Sequence, residues 1–441
     1  MGSRLICAGC GTEPSEAFAW RCPKANGDDV DHVIRRVLDD DGGAPTADEQ
    51  PFLRYRGRLR SWHVASDRGM TAAEHEELVM GLDRAVQEVD GTGFRVTPFD
   101  RADELSARLG FADGGGVFVK DETRNVSGSH KGRHLFGLMT DLLVAERLGL
   151  FEGSRPTLAI ASCGNAALAA ATVAAAARWP IRVFVPVDGD PVVIERLVGL
   201  HAAVVRCPRE PGVAGDPTFH ALRAELADGA VPFTCQGTEN GLAIEGGMTL
   251  GYEIAEALGS PGADHVVVQV GGGALATAVA EGLREAGHAA TRVHTVQTEG
   301  AAPLARAHER AAALAATDGV DAAMRYARAH RTEFMWPWEQ TPRSVATGIL
   351  DDETYDWAAT VEAMLRTGGH AEVVTEARLE AANALGFETT GIPADHTGTA
   401  GLAGLLSLRD RRLVADGDRV VVLFTGVRRG MGDPRSRGGS R

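Results

Sequence analysis

Val117-Phe-Val-Lys-Asp-Glu-Thr-Arg-Asn-Val-Ser-Gly-Ser-His-Lys-Gly-Arg133 joins a β-branched apolar run to a polar loop that carries a glycine and two serines. The next run, Leu135-Phe-Gly-Leu-Met-Thr-Asp-Leu-Leu-Val144, has an apolar pattern suited to a helix. Lys131 therefore falls where a strand gives way to a helix. A lysine at such a junction can point into a cleft, and burial there favours its neutral amine over the ammonium. A neutral amine is what Schiff-base chemistry needs. The plainer reading is a solvated lysine at a helix N-terminus, and the surrounding loops decide between the two.

Outward from this stretch the pattern repeats. Short β-branched runs at 157–161, 181–187, 203–207, 231–234, 265–270 and 292–296 are each followed by an Ala- and Leu-rich helical stretch. The helical stretches cover 166–178, 192–200, 218–226, 242–258, 275–286 and 302–316, and a helix over 399–409 precedes a last strand at 419–424. Alternation of this kind predicts an α/β fold with open parallel sheets and helices on both faces. In such sheets ligands bind beyond the carboxyl ends of the strands, so the loops entering helices should carry the chemistry. Residues 71–90 read as one amphipathic helix, 23–50 as a linker rich in Asp, Gly and Pro, and 318–345 as irregular. The basic, glycine-rich 431–441 reads as a disordered tail.

Length and composition set outer bounds. A chain of 441 residues with 44% hydrophobic content should hold two or three core-forming units. A net charge of −15 argues against nucleic acid and anionic membrane as partners. No apolar run reaches the ~18 residues of a spanning helix, and the N-terminus has no long apolar stretch of the signal-peptide kind. A cytoplasmic setting is expected. Six cysteines do not suggest a disulfide scaffold. Cys7, Cys10 and Cys22 look like three-quarters of a zinc ribbon, with Ala25 where a fourth cysteine would stand. Asp28 or His32 could substitute, but the expectation is a degenerate, metal-free remnant.

Three loops stand out. Gly271-Gly272-Gly273 follows a strand directly and opens a helix, so that converging N–H groups make a phosphate cradle together with Ala274 and Leu275. The same residues also fit the dinucleotide pattern G-x-G-x-x-A through Ala276, a rival nicotinamide oxidoreductase reading. Ser162-Cys163-Gly164-Asn165 sits between a strand and a helix, where Asn165 would cap the helix. That loop could also hold a carboxylate and a ring hydroxyl. Cys163 has no nearby His or Asp and reads as a small buried residue. Thr425 ends the last strand. If it faces a cofactor's pyridine nitrogen, its hydroxyl can bond a neutral ring but cannot stabilise a pyridinium, which shifts chemistry toward elimination and addition.

Taken together these loops resemble threonine synthase, a pyridoxal-phosphate enzyme of fold type II, over about residues 52–435. The stretch 119–133 is similar to the family's Lys-Asp-Glu…Asn-Pro-Thr-Gly-Ser-Phe-Lys-Asp-Arg, and Asn165 falls in its Ser-Thr-Gly-Asn loop. Gln297-Thr-Glu-Gly-Ala-Ala-Pro-Leu and Phe424-Thr-Gly-Val-Arg-Arg-Gly also match family segments. The resemblance implies two open parallel-sheet domains with pyridoxal phosphate in the cleft between them. By that layout 125–235 form a small domain, 51–124 and 236–430 a large one, and 1–50 a zinc-ribbon-like segment. It implies Lys131 as the Schiff-base lysine, Asn165 at the pyridoxal 3′-oxygen and Thr425 at the ring nitrogen. Gly271–Leu275 would hold the phosphate. Ser129, His130, Arg133, Ser162, Cys163 and Gly164 are the candidates toward substrate. The expected activity removes or replaces a β- or γ-substituent of an amino acid, with O-phosphohomoserine as the leading substrate and a serine/threonine dehydratase or β-replacement synthase as the alternative. An inactive binding homologue remains a further reading, and a homodimer is expected. The chain departs from the family at His130 for phenylalanine, Gly132 for aspartate and Val126 for proline.

Overall fold

The computed structural model describes residues 2–151, 154–209 and 215–429. Two open sheets organise the chain. The larger has six strands in the order Ala371–Val374, Arg292–Thr298, His265–Gln269, Arg419–Phe424, Gly116–Asp121, Phe99–Arg101. Its first five are parallel, and Phe99–Arg101 closes one edge antiparallel to Gly116–Asp121. The smaller sheet is parallel throughout, in the order Ala203–Cys207, Ile181–Pro186, Leu158–Ala161, Val231–Pro232.

The β-branched strands have the composition that burial on both faces demands. All five residues of His265–Gln269 are buried. Along these strands alternate side chains serve separate cores. Val266, Val268, Val421 and Leu423 pack on one face, and Val267, Val420, Val422 and Phe424 on the other. A third core joins the small sheet to the helix Lys131–Arg147 and to the N-terminal segment.

The helix expected over 71–90 is Ala72–Asp90. Thr71 and Glu74 close a capping box at its start, and Gly91, at φ 86°, ends it in the left-handed region. Two loop expectations are corrected. Within 23–50, Ile34–Leu38 is a strand that pairs antiparallel with Ser3–Cys7. Its arginines are fixed by ion pairs, Arg35 to Glu281 and Arg36 to Glu245 and Glu285. Within 318–345, Gly319 separates two helices, and Val320–Ala329 buries Ala323, Met324 and Ala327. The expected tail, 431–441, lies outside the described residues.

Candidate active site

Because the strands are parallel, Gly116–Asp121, Arg419–Phe424 and His265–Gln269 deliver their carboxyl-end loops to one edge of the large sheet. Those loops carry Lys131, Thr425 and the glycine triplet. The first two are zipped together. The amide of Glu122 donates to the Phe424 carbonyl at 2.9 Å, that of His130 to Thr425 at 3.1 Å, and that of Val427 to Gly128 at 2.9 Å. Ser127 and Gly128 reverse the chain with φ of 58° and 72°. Lys131 is then the first residue of the helix Lys131–Arg147 and is half-buried. It interacts electrostatically with Asp351, Asp356 and Cys235.

The whole chain contains three lysines, Lys24, Lys120 and Lys131. Lys24 is exposed in the N-terminal segment. Lys120 is fully buried, with Nζ donating to Glu253 and to the Thr97 carbonyl. Lys131 is therefore the lysine that an imine-forming cleft can use.

Gly271 and Gly273 leave no room for side chains, and Gly272 is tight against Tyr355. A Cβ on Gly271 would lie 2.3 Å from Asp351 Oδ2 and 2.9 Å from Ile349 Cα, and Gly273 has φ +96°. Thr354 Oγ1 donates to the Gly271 carbonyl at 3.0 Å, and the Asp356 amide donates to the Gly272 carbonyl at 2.9 Å. The segment 349–356 thus frames the loop. Ala274 and Leu275 bury their side chains and offer backbone alone. Sequence reasoning missed Asp351 and Asp356. Burial pushes the Asp351 carboxyl up to about 6, aided by Asp352 and Asp216 and opposed by Lys131 and the Gly272 amide. Burial likewise pushes Asp356 up to about 7.

Thr425 is buried, and Gln269 Nε2 donates to its Oγ1 at 2.8 Å. The same Nε2 faces the carbonyls of Thr397, Gly398 and Leu423. Carbonyls only accept, so the amide must present its NH2 group here. An NH2 group cannot accept in turn, so the Thr425 hydroxyl proton points elsewhere and is available to an acceptor in the cleft.

Asn165 is the first residue of the helix Asn165–Ala176, and Gly164 occupies the cap position. The expected capping role is thereby corrected. Asn165 Oδ1 instead accepts from Arg429, which also donates to the Ser127 carbonyl at 3.1 Å. With Oδ1 engaged, Nδ2 is the group beside Gly426, 3.0 Å from where a Cβ there would stand. The small sheet's loop thus meets the large sheet's last strand. Ser162 Oγ accepts from the Gly164 amide at 3.4 Å. Cys163 is exposed, not buried as expected, because it sits at the open end of that loop. Although the residue is exposed, its sulfur is partly shielded by the loop, and this with the charges of Asp216 and Asp188 shifts the thiol upward.

One neighbour of Lys131 differs from expectation. Arg133 is fully buried and bound to Glu122 and Glu253, so it cannot reach a substrate. That expectation is corrected: the guanidinium neutralises carboxylates inside the protein. Ser129 is also buried, with Oγ lacking a partner among the described residues. His130 donates from Nδ1 to the Thr425 carbonyl at 3.3 Å. Its Nε2 is buried without a partner among the described residues. Burial first, then the charges of Lys131 and His134, hold its pKa well below the ordinary value, so the ring is neutral at pH 7. The Gly132 departure has a packing cause. A Cβ there would lie 3.1 Å from the Val126 carbonyl and 3.2 Å from Phe94. His130→Phe is expected to stabilise the protein by about 1 kcal/mol in urea unfolding, because it removes an unsatisfied buried acceptor. A loss of stability would show that Nε2 has a partner.

Comparison with known proteins gives a consistent result. A family model described as "Pyridoxal-phosphate dependent enzyme" matches residues 92–426. Threonine synthase of Methanosarcina acetivorans is 28% identical over 335 residues, 75% of this chain and 74% of that protein. Threonine synthase of Mycobacterium leprae is 28% identical over 376 residues, 83% of this chain and 89% of that one. Among solved structures, maize serine racemase aligns with a TM-score of 0.58 at 17% identity, covering 79% of this chain and 92% of the other. Processed threonine deaminase isoform 2 from Solanum lycopersicum also gives 0.58, at 18% identity, covering 81% and 85%. These structural likenesses bear on the fold.

Proposed function

The chain belongs to the pyridoxal-phosphate-dependent enzymes, and from that premise we propose a threonine synthase-like lyase acting on a β- or γ-substituent of an amino acid. The observation that carries it is Lys131, the one lysine of three placed where the carboxyl-end loops converge.

The residues present fit the cofactor. The glycine cradle leaves no room for a Cβ at Gly271 or Gly273, Asn165 presents its amide NH2 beside Gly426, and the Thr425 hydroxyl has a proton to give. Gly271–Leu275 would hold the phosphate through backbone N–H groups, Asn165 the 3′-oxygen and Thr425 the ring nitrogen. Bound there, pyridoxal phosphate supplies the electron sink that acidifies the substrate's α-proton. Lys131 Nζ would hold the cofactor and would be the base that accepts that proton. Gln269 orients the Thr425 hydroxyl as a donor, which suits a neutral ring and so elimination over transamination. Ser162, Cys163 and Gly164 would hold the substrate carboxylate, and Ser129 Oγ is buried two residues before the lysine. A homodimer in the cytoplasm is part of the same proposal and rests on family likeness alone.

O-phosphohomoserine is the leading substrate, supported by the likeness to threonine synthases. A dehydratase acting on serine or threonine is the second reading. It is favoured by the withdrawal of Arg133 into the core and by the mutual repulsion of Asp351, Asp352 and Asp216, which surrounds the cleft with acid. Purified protein is expected to release phosphate from O-phosphohomoserine without ammonia. Ammonia from serine or threonine, with no phosphate release, would sink the leading substrate and favour the second.

A further inference from the structure

Cys7, Cys10, Cys22 and His32 lie outside residues 92–426, the family-matched region, and take no part in the chemistry above. Their three sulfurs and one imidazole nitrogen all lie within 4.8 Å of one another. Cys10 Sγ is 3.6 Å from Cys22 Sγ, and Cys7 Sγ is 3.4 Å from His32 Nδ1. A tetrahedral zinc with Zn–S bonds of about 2.3 Å and a Zn–N bond of about 2.0 Å has S–S edges of about 3.8 Å and S–N edges of about 3.5 Å. The separations match those edges, and all six cysteines are free thiols.

The surroundings are built for metal-bound thiolates. The Lys24 amide donates to Cys22 Sγ at 3.4 Å. Gly9 must be glycine, since a Cβ there would lie 2.3 Å from the Asp31 carbonyl. His32 Nε2 meets Asp28 Oδ1 at 3.0 Å. A carboxylate on one ring nitrogen fixes the tautomer and turns the other nitrogen's lone pair toward a metal. The sequence left Asp28 and His32 as alternatives for the fourth ligand, and the chain entering the strand Ile34–Leu38 brings His32 to the cysteines. The Ala8 amide bonds the Val33 carbonyl at 2.9 Å, and Cys7 pairs with Ile34, which brings His32 back beside the first cysteine.

We propose that Cys7, Cys10, Cys22 and His32 form a closed, structural zinc site, which replaces the expectation of a metal-free remnant. Four protein ligands leave no open position for substrate. The site fastens a hairpin that braces the cofactor cradle. Asp31, next to His32, accepts from Trp357 Nε1 at 3.2 Å, and its amide donates to the Arg328 carbonyl at 2.8 Å. Trp357 adjoins Asp356, whose amide holds the Gly272 carbonyl.

Elemental analysis of the full chain, purified without chelator, is expected to give about one zinc per chain. Cys10→Ser and Cys22→Ser should lose it, and Cys163→Ser, outside the cluster, should keep it. Asp28→Asn should weaken zinc binding by about 10-fold or more. Cobalt(II) added to reduced, metal-stripped wild-type protein should give the intense visible absorption of tetrahedral thiolate coordination, a readout that depends on no variant's folding. Metal-free protein that binds neither zinc nor cobalt would overturn the proposal. So would a Cys10–Cys22 disulfide in the freshly purified chain, detected by mass as two missing hydrogens.

Discussion

Lys131→Ala is expected to lower turnover by about 10³-fold or more, and to abolish the visible absorption of protein purified with pyridoxal phosphate, while leaving unfolding almost unchanged. The lysine opens the helix Lys131–Arg147 and is half-buried. A cation at a helix N-terminus opposes the macrodipole, so its removal costs the fold little. Borohydride reduction of the wild-type holoenzyme followed by peptide mapping gives a sharper check. With three lysines in the chain there are three possible labelled peptides. The label is expected on the peptide containing Lys131 and absent from the variant. A label on Lys24 or Lys120, or a colourless wild type after added cofactor, would sink the assignment. Lys120 is a stringent control, because its ammonium is locked against Glu253.

The parallel sheets were legible because their signal is local. A strand buried on both faces must be a continuous apolar run, and 265–270 and 419–424 are such runs. The glycine triplet and the Lys131 loop were legible for a related reason: each lies within a few residues of a strand end, where parallel topology puts function. What could not be read were partners distant in the chain. Arg133 follows Lys131 by two residues and looked like a cleft residue. Its partner Glu253 is 120 residues away, and no spacing announces that pairing. Asp351 reaches Gly272 from the far side of an irregular stretch. Asn165 was read as a cap from residue type, but Gly164 takes that position and Arg429 claims the amide oxygen. Local propensity gave way there to a contact with the chain's last described segment. The sequence could name His32 only as an alternative to Asp28 beside the three cysteines, since strand return, not sequence interval, brings it to Cys7.

Arg133→Met is expected to destabilise the protein by about 3–5 kcal/mol, because it strands buried carboxylates. The guanidinium grips Glu122 with Nε at 2.9 Å and Nη2 at 3.0 Å. It also binds Glu253, Thr249 Oγ1 at 3.0 Å and Thr97 Oγ1 at 3.1 Å. With Lys120 on Glu253, two cations balance two carboxylates in a fully buried cluster. Methionine fills similar volume but leaves a net negative charge in the core. The pH dependence identifies the cause. In the wild type burial opposes ionisation of Glu253, but Arg133 and Lys120 outweigh it and hold the carboxyl below its ordinary value. That contribution is present above the unfolded pKa and lost as pH falls through the folded one. In the variant the balance reverses. A buried carboxyl then binds its proton more tightly folded than unfolded, so stability falls as pH rises from about 4.3. Urea unfolding at pH 5 and pH 8 should therefore show the larger deficit at pH 8. An equal deficit at both would point to lost packing instead. The kinetic consequence separates this role from substrate binding. Glu122 also accepts from Asn125 Nδ2 at 2.6 Å, at the start of the loop that positions Lys131. The folded variant should lose kcat through that loop with little change in KM, whereas a residue that held a substrate anion would raise KM first.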